Sequence, residues 1–259
     1  MFSEIELKFL IIDSNPASIL RKIADLKQLD RYTLIAGSDL QLTDLYFDTS
    51  DSLFQKNKIA LRFRKQNRER FITIKGNKKI QDYGAVHRLE VNKPWSENSF
   101  NEIIEVLSKT IPAFNPRQLN FLADKPINTM QSLGLHPIQE RSTVRQIRFF
   151  LDQLTNSAVA EGAIDETVYK IDRNRIIHYE LEIELKKMGT EQILQNIKSV
   201  LLSTFPDSLE LWIISKLELG IILEKIIKTP VFRNFLDKEN HLSPEGYHYI
   251  RKKFELLKK

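Results

Sequence analysis

Two short segments of the chain alternate charged residues with bulky aliphatic ones, and this spacing favours β-strands. They are Glu4-Ile5-Glu6-Leu7-Lys8 and Glu180-Leu181-Glu182-Ile183-Glu184. Successive side chains of a strand point to opposite faces, so each segment separates its charges from its aliphatic groups. Either segment alone fits an ordinary half-buried strand with its charges in water. The stronger constraint is that the pattern recurs elsewhere with arginine and lysine.

Further predicted strands carry basic or polar pairs on one face and apolar residues on the other. A strand at 59–64 and a return strand at 71–76 are separated by a short polar turn, which predicts a hairpin. The pairs that share a face are Arg62/Arg64, Thr73/Lys75, Arg88/Glu90 and Arg141/Arg145. The chain therefore contains several strands with one charged face each.

Charged faces on many strands predict a polar interior. If helices cover the apolar face, closing the sheet gives an α+β barrel whose tunnel is lined by both signs of charge. Burying so many charges is costly unless they are paired or bind a metal or ligand. Arginine and lysine suit phosphate oxygens, and carboxylates suit a hard divalent cation. The residues therefore predict metal-assisted phosphoryl chemistry on a polyphosphate.

Composition excludes several other classes of site. The chain of 259 residues has no cysteine, which excludes disulfides, cysteine-bound zinc and thiol catalysis, and fits a reducing cytoplasmic location. Its five histidines are scattered and form no HExxH motif. No apolar run approaches the ~20 residues of a membrane span. The net charge of +5 is too small to indicate specific nucleic-acid binding.

Helical patterns flank and interrupt the predicted strands. Residues 32–47 are interpreted as one strand, and 229–259 as a basic tail whose helix begins near Ser243-Pro244. We favour a tail helix docked on the rest of the chain, and the alternative is a surface for a membrane or an anionic partner. The other predicted helices are at 16–29, in an insertion at about 98–134, after Gly189 and at 217–227.

Taken together, the motifs resemble those of the CYTH superfamily, also called triphosphate tunnel metalloenzymes, over about residues 1–220. Glu4-x-Glu6-x-Lys8 resembles the ExExK signature of this family. The other motifs follow in the family's order: Arg62-x-Arg64, Thr73-x-Lys75, Arg88-x-Glu90, Arg145, Asp165, Glu180-x-Glu182-x-Glu184 and Ser215-Lys216. The resemblance implies a closed antiparallel eight-stranded β-barrel with helices around it, formed by residues 1–228.

The resemblance also implies roles for single residues. The catalytic signature would be Glu4, Glu6 and Lys8. The ligands of Mg²⁺ or Mn²⁺ would be Glu4, Glu6, Glu182, Glu184 and Asp165. The triphosphate would be bound by Lys8, Arg62, Arg64, Lys75, Arg88, Arg145 and Lys216, with Glu90 orienting its basic neighbours. Asp165 could instead only hold a basic residue, and Lys216 could equally be structural. Glu180 is expected at the barrel rim and Asp48 in a turn.

Members of the family include inorganic triphosphatases, thiamine triphosphatases, class IV adenylate cyclases and RNA triphosphatases. Asn92 stands where many members have a second glutamate, and this variant resembles the bacterial inorganic triphosphatases. The expected activity is metal-dependent hydrolysis of inorganic triphosphate to phosphate and diphosphate. Alternatives are adenylate cyclase or another nucleotide or thiamine triphosphatase, and a non-catalytic polyphosphate-binding module. The sequence leaves open whether the chain is a monomer or a homodimer.

Overall fold

The computed structural model describes residues 2–116 and 120–257. Within these residues the strands are Phe2–Ile11 (β1), Gln28–Leu29 (β2), Tyr32–Ala36 (β3), Leu40–Thr49 (β4), Ala60–Gln66 (β5), Glu69–Ile80 (β6), Val86–Pro94 (β7), Leu135–Asp152 (β8), Ala158–Ile171 (β9), Asn174–Leu185 (β10) and Leu209–Leu211 (β11). The helices are Pro16–Asp25 (α1), Leu53–Lys56 (α2), Glu97–Thr110 (α3), Pro126–Ser132 (α4), Glu191–Thr204 (α5), Lys216–Ile226 (α6) and Pro244–Leu257 (α7), with a 3₁₀ helix at Pro230–Phe235.

The strand order closes part of the sheet on itself. Neighbouring strands pair in the order β2-β3-β8-β4-β5-β6-β7-β1-β10-β9, and β8 also pairs with β9. The ring from β8 round to β9 therefore contains eight strands, while β11 pairs with β1. This confirms the predicted closed antiparallel eight-stranded barrel with helices around it. Closure leaves the strands of the ring without an unpaired edge.

The pairing of β1 with β10 confirms the alternation that the sequence predicts. Glu6 lies opposite Glu184 and Lys8 lies opposite Glu182, so these side chains share one face of the sheet. Leu7 and Phe9 point to the other face and are fully buried in an apolar cluster. Glu6 and Lys8 are each only 2% exposed, so the charged face of this strand is not a solvent face.

Contacts divide the chain into two compact units. The first unit contains Gln41–Lys79 and Arg88–Ser142 with the first residues of the chain. The second contains Glu4–Leu40, Ile80–His87 and the chain from Thr143 onward. Each unit has its own apolar core, and the second has two such clusters. Helices α3 and α4 lie in the predicted insertion, whereas the predicted domain boundaries stay a prediction. Every helix of the described residues is too short or too polar to span a lipid bilayer.

Two segments differ from the interpretation of the sequence. Residues 32–47 form two strands, because β3 pairs with β8 and β4 pairs with β5. The predicted strand is interrupted at Gly37, where an added Cβ would lie 2.8 Å from Cγ2 of Ile147. Only glycine allows this approach without a shift of Ile147. The predicted helix at 16–29 ends at Asp25, and Gln28–Leu29 pairs with β3 instead.

The C-terminal segment packs within the second unit. The Ile177 N–H on β10 donates to the Asn240 carbonyl at 2.9 Å, and the Ile177 carbonyl accepts from the Leu242 N–H at 3.3 Å. Helix α7 begins at Pro244, as the sequence predicts. Its buried side chains join a cluster with α6 and are Tyr247, Ile250 and Phe254. A docked helix is therefore observed, and the last two residues of the predicted tail lie outside the described residues.

Candidate functional site

Three carboxylates, two of them buried and one half-buried, surround the ammonium group of Lys216 in the second unit. Its Nζ lies 2.9 Å from Oδ2 of Asp165 and 2.9 Å from Oε1 of Glu182, and it also contacts Glu180. Arg145 adds a second cation, since its guanidinium donates to both oxygens of Asp165 at 2.8 and 2.6 Å and to Oε2 of Glu182 at 2.6 Å. We call these five residues the lysine-centred cluster.

The strand register explains why the three carboxylates meet. Asp165 on β9 lies opposite Glu180 on β10, so both side chains point to one face. Glu182 follows two residues later on β10 and shares that face. Glu180 was expected at the rim of the barrel, and this expectation is wrong, because Glu180 is fully buried. Its position beside Asp165 places it inside the cluster.

A capped helix places Lys216. The Ser215 hydroxyl accepts from the Glu218 N–H at 3.3 Å, and the Glu218 carboxylate accepts from the Ser215 N–H at 2.7 Å. This reciprocal capping box fixes the start of α6, whose first residue is Lys216. The short Ser215-Lys216 motif of the sequence therefore starts a helix and directs an ammonium group into the cluster.

The charges of the lysine-centred cluster stabilise one another. Burial alone would raise the pKa of Asp165, but Arg145 and Lys216 outweigh this effect and hold it below its usual value. Burial alone would also raise the pKa of Glu182, but Lys216 and Arg145 hold it well below the usual value. Burial would lower the pKa of Lys216, yet the surrounding carboxylates raise it. These groups are therefore ionised at neutral pH.

Carboxylate oxygens of Asp165, Glu180 and Glu182 lie within 4.8 Å of one another, a spacing that suits a hard cation. Lys216 already places its ammonium group among them. The chain thus supplies the cation at this point itself. Because a nearby ammonium group repels a divalent cation, such an ion is better accommodated beside a carboxylate of β10 that has less positive charge around it than Glu180 and Glu182 have.

Glu184, further along β10, meets that condition. Burial raises its pKa, Lys186 lowers it, and the charges of Glu4 and Glu161 raise it again, with a net increase. Glu6 lies opposite Glu184 in the register, and Glu4 shares the face of Glu6 on β1. Oxygen ligands with excess negative charge suit Mg²⁺ or Mn²⁺. Glu4 and Glu6 on β1 and Glu184 on β10 offer the type of oxygen donor that a divalent cation takes, and their role as metal ligands stays a prediction.

Asp44 is the buried partner of three arginines in the first unit. Its carboxylate accepts from Arg64 at 2.6 and 2.8 Å and from Arg141 at 3.2 and 2.9 Å, and it lies 3.8 Å from Nη1 of Arg62. Arg141 also donates to the Tyr46 hydroxyl at 2.6 Å. Burial would raise the pKa of Asp44, but the arginines hold it well below its usual value. We call Asp44 and the three arginines the arginine cluster.

The sequence interpretation did not include Asp44 among the site residues. In the structure Asp44 on β4 lies directly opposite Arg64 on β5, and Tyr46 lies opposite Arg62. A carboxylate opposite an arginine is a favourable cross-strand pair. Asp44 lies on the charged face of β4, and this face is visible in the sequence. The pairing of Asp44 with Arg64 depends on the register between β4 and β5, which cannot be inferred from the residues alone.

Glu90 contacts basic side chains of the first unit, as expected. Its Oε2 lies 2.7 Å from Nζ of Lys75, and its Oε1 lies 3.7 Å from Nη2 of Arg62. Arg88 lies two residues earlier on β7 and shares its face. Arg62 also donates to the Thr73 hydroxyl at 3.2 Å. The phosphate-binding roles of these basic residues stay predictions.

Two further sequence-predicted residues have clear contacts. Asp48 accepts from the backbone N–H groups of Phe54 at 2.8 Å and Gln55 at 3.0 Å, so it holds the short helix α2 after the turn. Asp48 is thus structural, but it lies in β4, which extends to Thr49, and not in the turn that the sequence predicts. Lys8 donates from Nζ to the backbone carbonyl of Ile214 at 2.9 Å, just before Ser215. Lys8 therefore holds the segment that leads into α6.

Replacing Asp44 with asparagine is expected to lower the free energy of unfolding by about 3 kcal/mol at neutral pH. The substitution keeps the size of the side chain but leaves Arg62, Arg64 and Arg141 buried without their shared negative charge. Denaturant unfolding of the variant and the wild type measures the difference.

The pH dependence gives a second check on Asp44. Its pKa is lower in the folded chain than the usual 3.8, so its stabilising charge is fully present above that pH and is lost as the pH falls further. The difference between wild type and Asp44→Asn should therefore shrink in acid. Asp124→Asn is the matched control, because Asp124 is 90% exposed in its ion pair with Arg70. Equal stability of both variants would contradict the buried role of Asp44.

Comparison with solved structures finds similar folds at low identity. A protein from Hippeastrum, described as a candidate adenylyl cyclase that has a dominant triphosphatase activity, is 15% identical, with 84% of this chain and 95% of that chain covered and a TM-score of 0.54. The PH1819 protein from Pyrococcus horikoshii is 19% identical, with 86% and 99% covered and a TM-score of 0.48. At such identities the likeness concerns the fold alone.

The family comparison covers most of the chain. Residues 3–204 match the model of the CYTH domain. A search of the curated proteins found no significant match. The match includes β1 with its ExExK motif, the hairpin of β5 and β6, and the acidic strand β10. The chain therefore belongs to the CYTH family.

Proposed function

We propose that the chain hydrolyses inorganic triphosphate to phosphate and diphosphate with the help of a divalent cation. The observation that carries the proposal is the lysine-centred cluster, in which two cations contact carboxylates that are buried or half-buried. Preorganised charges of this kind stabilise the charge that develops on a transferred phosphoryl group. Membership of the CYTH family supports phosphoanhydride hydrolysis as the reaction class.

The cations of the second unit would bind the substrate. Arg145 presents a planar guanidinium fork that matches phosphate oxygens, and Lys216 presents a point charge. Asp165 and Glu182 fix both cations through the contacts described above, so binding requires little reordering of side chains. We assign Asp165 and Glu182 to this positioning role. The predicted phosphate contacts of Lys8 and of the first unit's Arg62, Arg64, Lys75 and Arg88 rest on the family resemblance.

The carboxylates of Glu4 and Glu6 on β1 and of Glu184 at the C-terminal end of β10 would hold the metal ion. Glu4, Glu6 and Glu184 are carboxylate oxygen donors, the ligand type that a divalent cation takes, and burial and the charge of Glu4 raise the pKa of Glu184. When bound, Mg²⁺ or Mn²⁺ supplies neutralisation of phosphate charge and lowers the pKa of a water molecule. The side chains of Glu4, Glu6 and Glu184 would set where that positive charge lies.

Phosphate release from inorganic triphosphate, ATP and thiamine triphosphate tests the proposal when each is assayed with Mg²⁺, Mn²⁺ or EDTA. We expect the fastest release from inorganic triphosphate, and EDTA should abolish it. Cyclic AMP is measured in the ATP reactions, because the Hippeastrum protein is described both as a cyclase and by its triphosphatase activity. Release that persists in EDTA, or cyclic AMP as the main product, would contradict the proposal.

A further inference from the structure

A buried chain of hydrogen bonds connects the C-terminal helix to the lysine-centred cluster. The Tyr247 hydroxyl on α7 lies 2.8 Å from Nδ1 of His178, and Nε2 of His178 lies 2.8 Å from Oε2 of Glu180. The other oxygen of Glu180 contacts Lys216. His178 and Glu180 are fully buried, so water does not compete for these bonds. Tyr247 is therefore linked to Lys216 through two side chains.

Each donor and acceptor in this series of hydrogen bonds can be assigned. Lys216 has only donors, so the Glu180 carboxylate accepts from it. Nε2 of His178 then donates to the second oxygen of Glu180, which leaves Nδ1 of the neutral ring as an acceptor. Burial lowers the pKa of His178 and favours the neutral ring, although the bond to Glu180 acts in the opposite direction. The Tyr247 hydroxyl is therefore the donor to Nδ1, and it supports the tautomer that the bond to Glu180 requires.

Helix α7 is fixed well enough to place this hydroxyl. Its Tyr247 ring packs edge-to-face on Trp212 at a centroid distance of 5.8 Å. The Arg251 guanidinium lies 5.3 Å from the centre of the same indole ring, donates to the Leu211 carbonyl at 3.0 Å and contacts Glu210. These contacts join α7 to β11 and hold the phenol oxygen in position.

We infer that Tyr247 is a positioning residue for the phosphate-binding cation Lys216. Through His178 it fixes the Glu180 carboxylate, and Glu180 with its neighbours keeps the ammonium group of Lys216 in the place where it would meet a phosphate oxygen. The inference rests on the proposed function. It assigns a role to the C-terminal segment, because Tyr247 lies outside the residues 3–204 that match the CYTH domain.

Tyr247→Phe tests the inference, with Tyr249→Phe as the matched control on the same helix. Tyr249 stacks on Phe235 at 4.7 Å, so its variant loses a hydroxyl at a site remote from His178 in the hydrogen-bond chain. We expect Tyr247→Phe to weaken the binding of inorganic triphosphate, measured by calorimetry in EDTA, by roughly threefold to tenfold. The control should bind like the wild type.

Ring-nitrogen NMR gives a readout that does not depend on activity. The chain has five histidines, so the His178 signals can be assigned with a His178→Phe variant. Nδ1 of His178 should appear as a hydrogen-bonded acceptor in the wild type and in Tyr249→Phe. In Tyr247→Phe this signature should be lost. A merely structural role of Tyr247 would lower the unfolding temperature without changing the affinity of the folded protein.

A double-mutant cycle decides whether Tyr247 acts through His178. If it does, adding Tyr247→Phe to His178→Phe causes no further loss of triphosphate affinity. Independent, multiplying losses would overturn the inference, and so would an unchanged His178 spectrum in Tyr247→Phe. Triphosphate binding without turnover would refute the proposed hydrolysis while the cycle still decides the role of Tyr247. If the wild type does not bind triphosphate at all, the positioning role is refuted as well.

Discussion

Glu6→Gln should reduce metal-dependent phosphate release from triphosphate by on the order of 10³-fold while the fold is retained. Glu6 is 2% exposed and lies opposite Glu184, which is a second proposed metal ligand. Glutamine keeps the volume of the side chain but removes the negative charge, so the affinity for a divalent cation falls. Phosphate release measures turnover, and calorimetric titration with Mn²⁺ measures metal affinity independently of it.

The control for this experiment is Glu224→Gln, which makes the same change on the exposed surface of α6. It should leave turnover, Mn²⁺ affinity and the unfolding temperature close to those of the wild type. Glu4→Gln should repeat the loss of Glu6→Gln, since Glu4 shares its face of β1. Unchanged metal-dependent turnover in both Glu4→Gln and Glu6→Gln would refute the proposed metal site.

The second large effect is expected for Lys216→Met, which should lower the free energy of unfolding by about 3–5 kcal/mol at neutral pH. Methionine fills a similar volume but leaves Asp165, Glu180 and Glu182 buried with less positive charge around them. Folding raises the pKa of Lys216 above its usual 10.5, so its stabilising charge is fully present below that pH and is lost only at higher pH. Turnover should be lost as well.

Denaturant unfolding of Lys216→Met at neutral and acidic pH measures this effect. The loss should shrink in acid, because the crowded carboxylates of the variant can take up protons. Added Mg²⁺ should stabilise the variant more than the wild type, since the three carboxylates then lack their ammonium partner. Lys225→Met on the exposed side of α6 is the control. A variant as stable as this control would show that Lys216 is not needed to balance the cluster.

Most of the barrel and many members of the candidate site could be predicted from the sequence. The period of two along β1, β5 and β10 is a local property of the chain, so it identifies which side chains share a face before any pairing is known. It correctly separated Leu7 and Phe9 from Glu6 and Lys8. Helix boundaries were less well predicted where a short strand pairing competed with helical spacing, as at Gln28–Leu29.

The alternating faces, the family and the acidic and basic motifs follow from the sequence, because each is encoded within a few consecutive residues. Which charges meet depends on the tertiary structure. It paired Asp44 with arginines of other strands, placed Glu180 inside the cluster and set Lys216 among the carboxylates. It also brought Tyr247 to His178, which is 69 positions away in the chain. Contacts at such separations depend on strand register and helix docking, which no local pattern specifies.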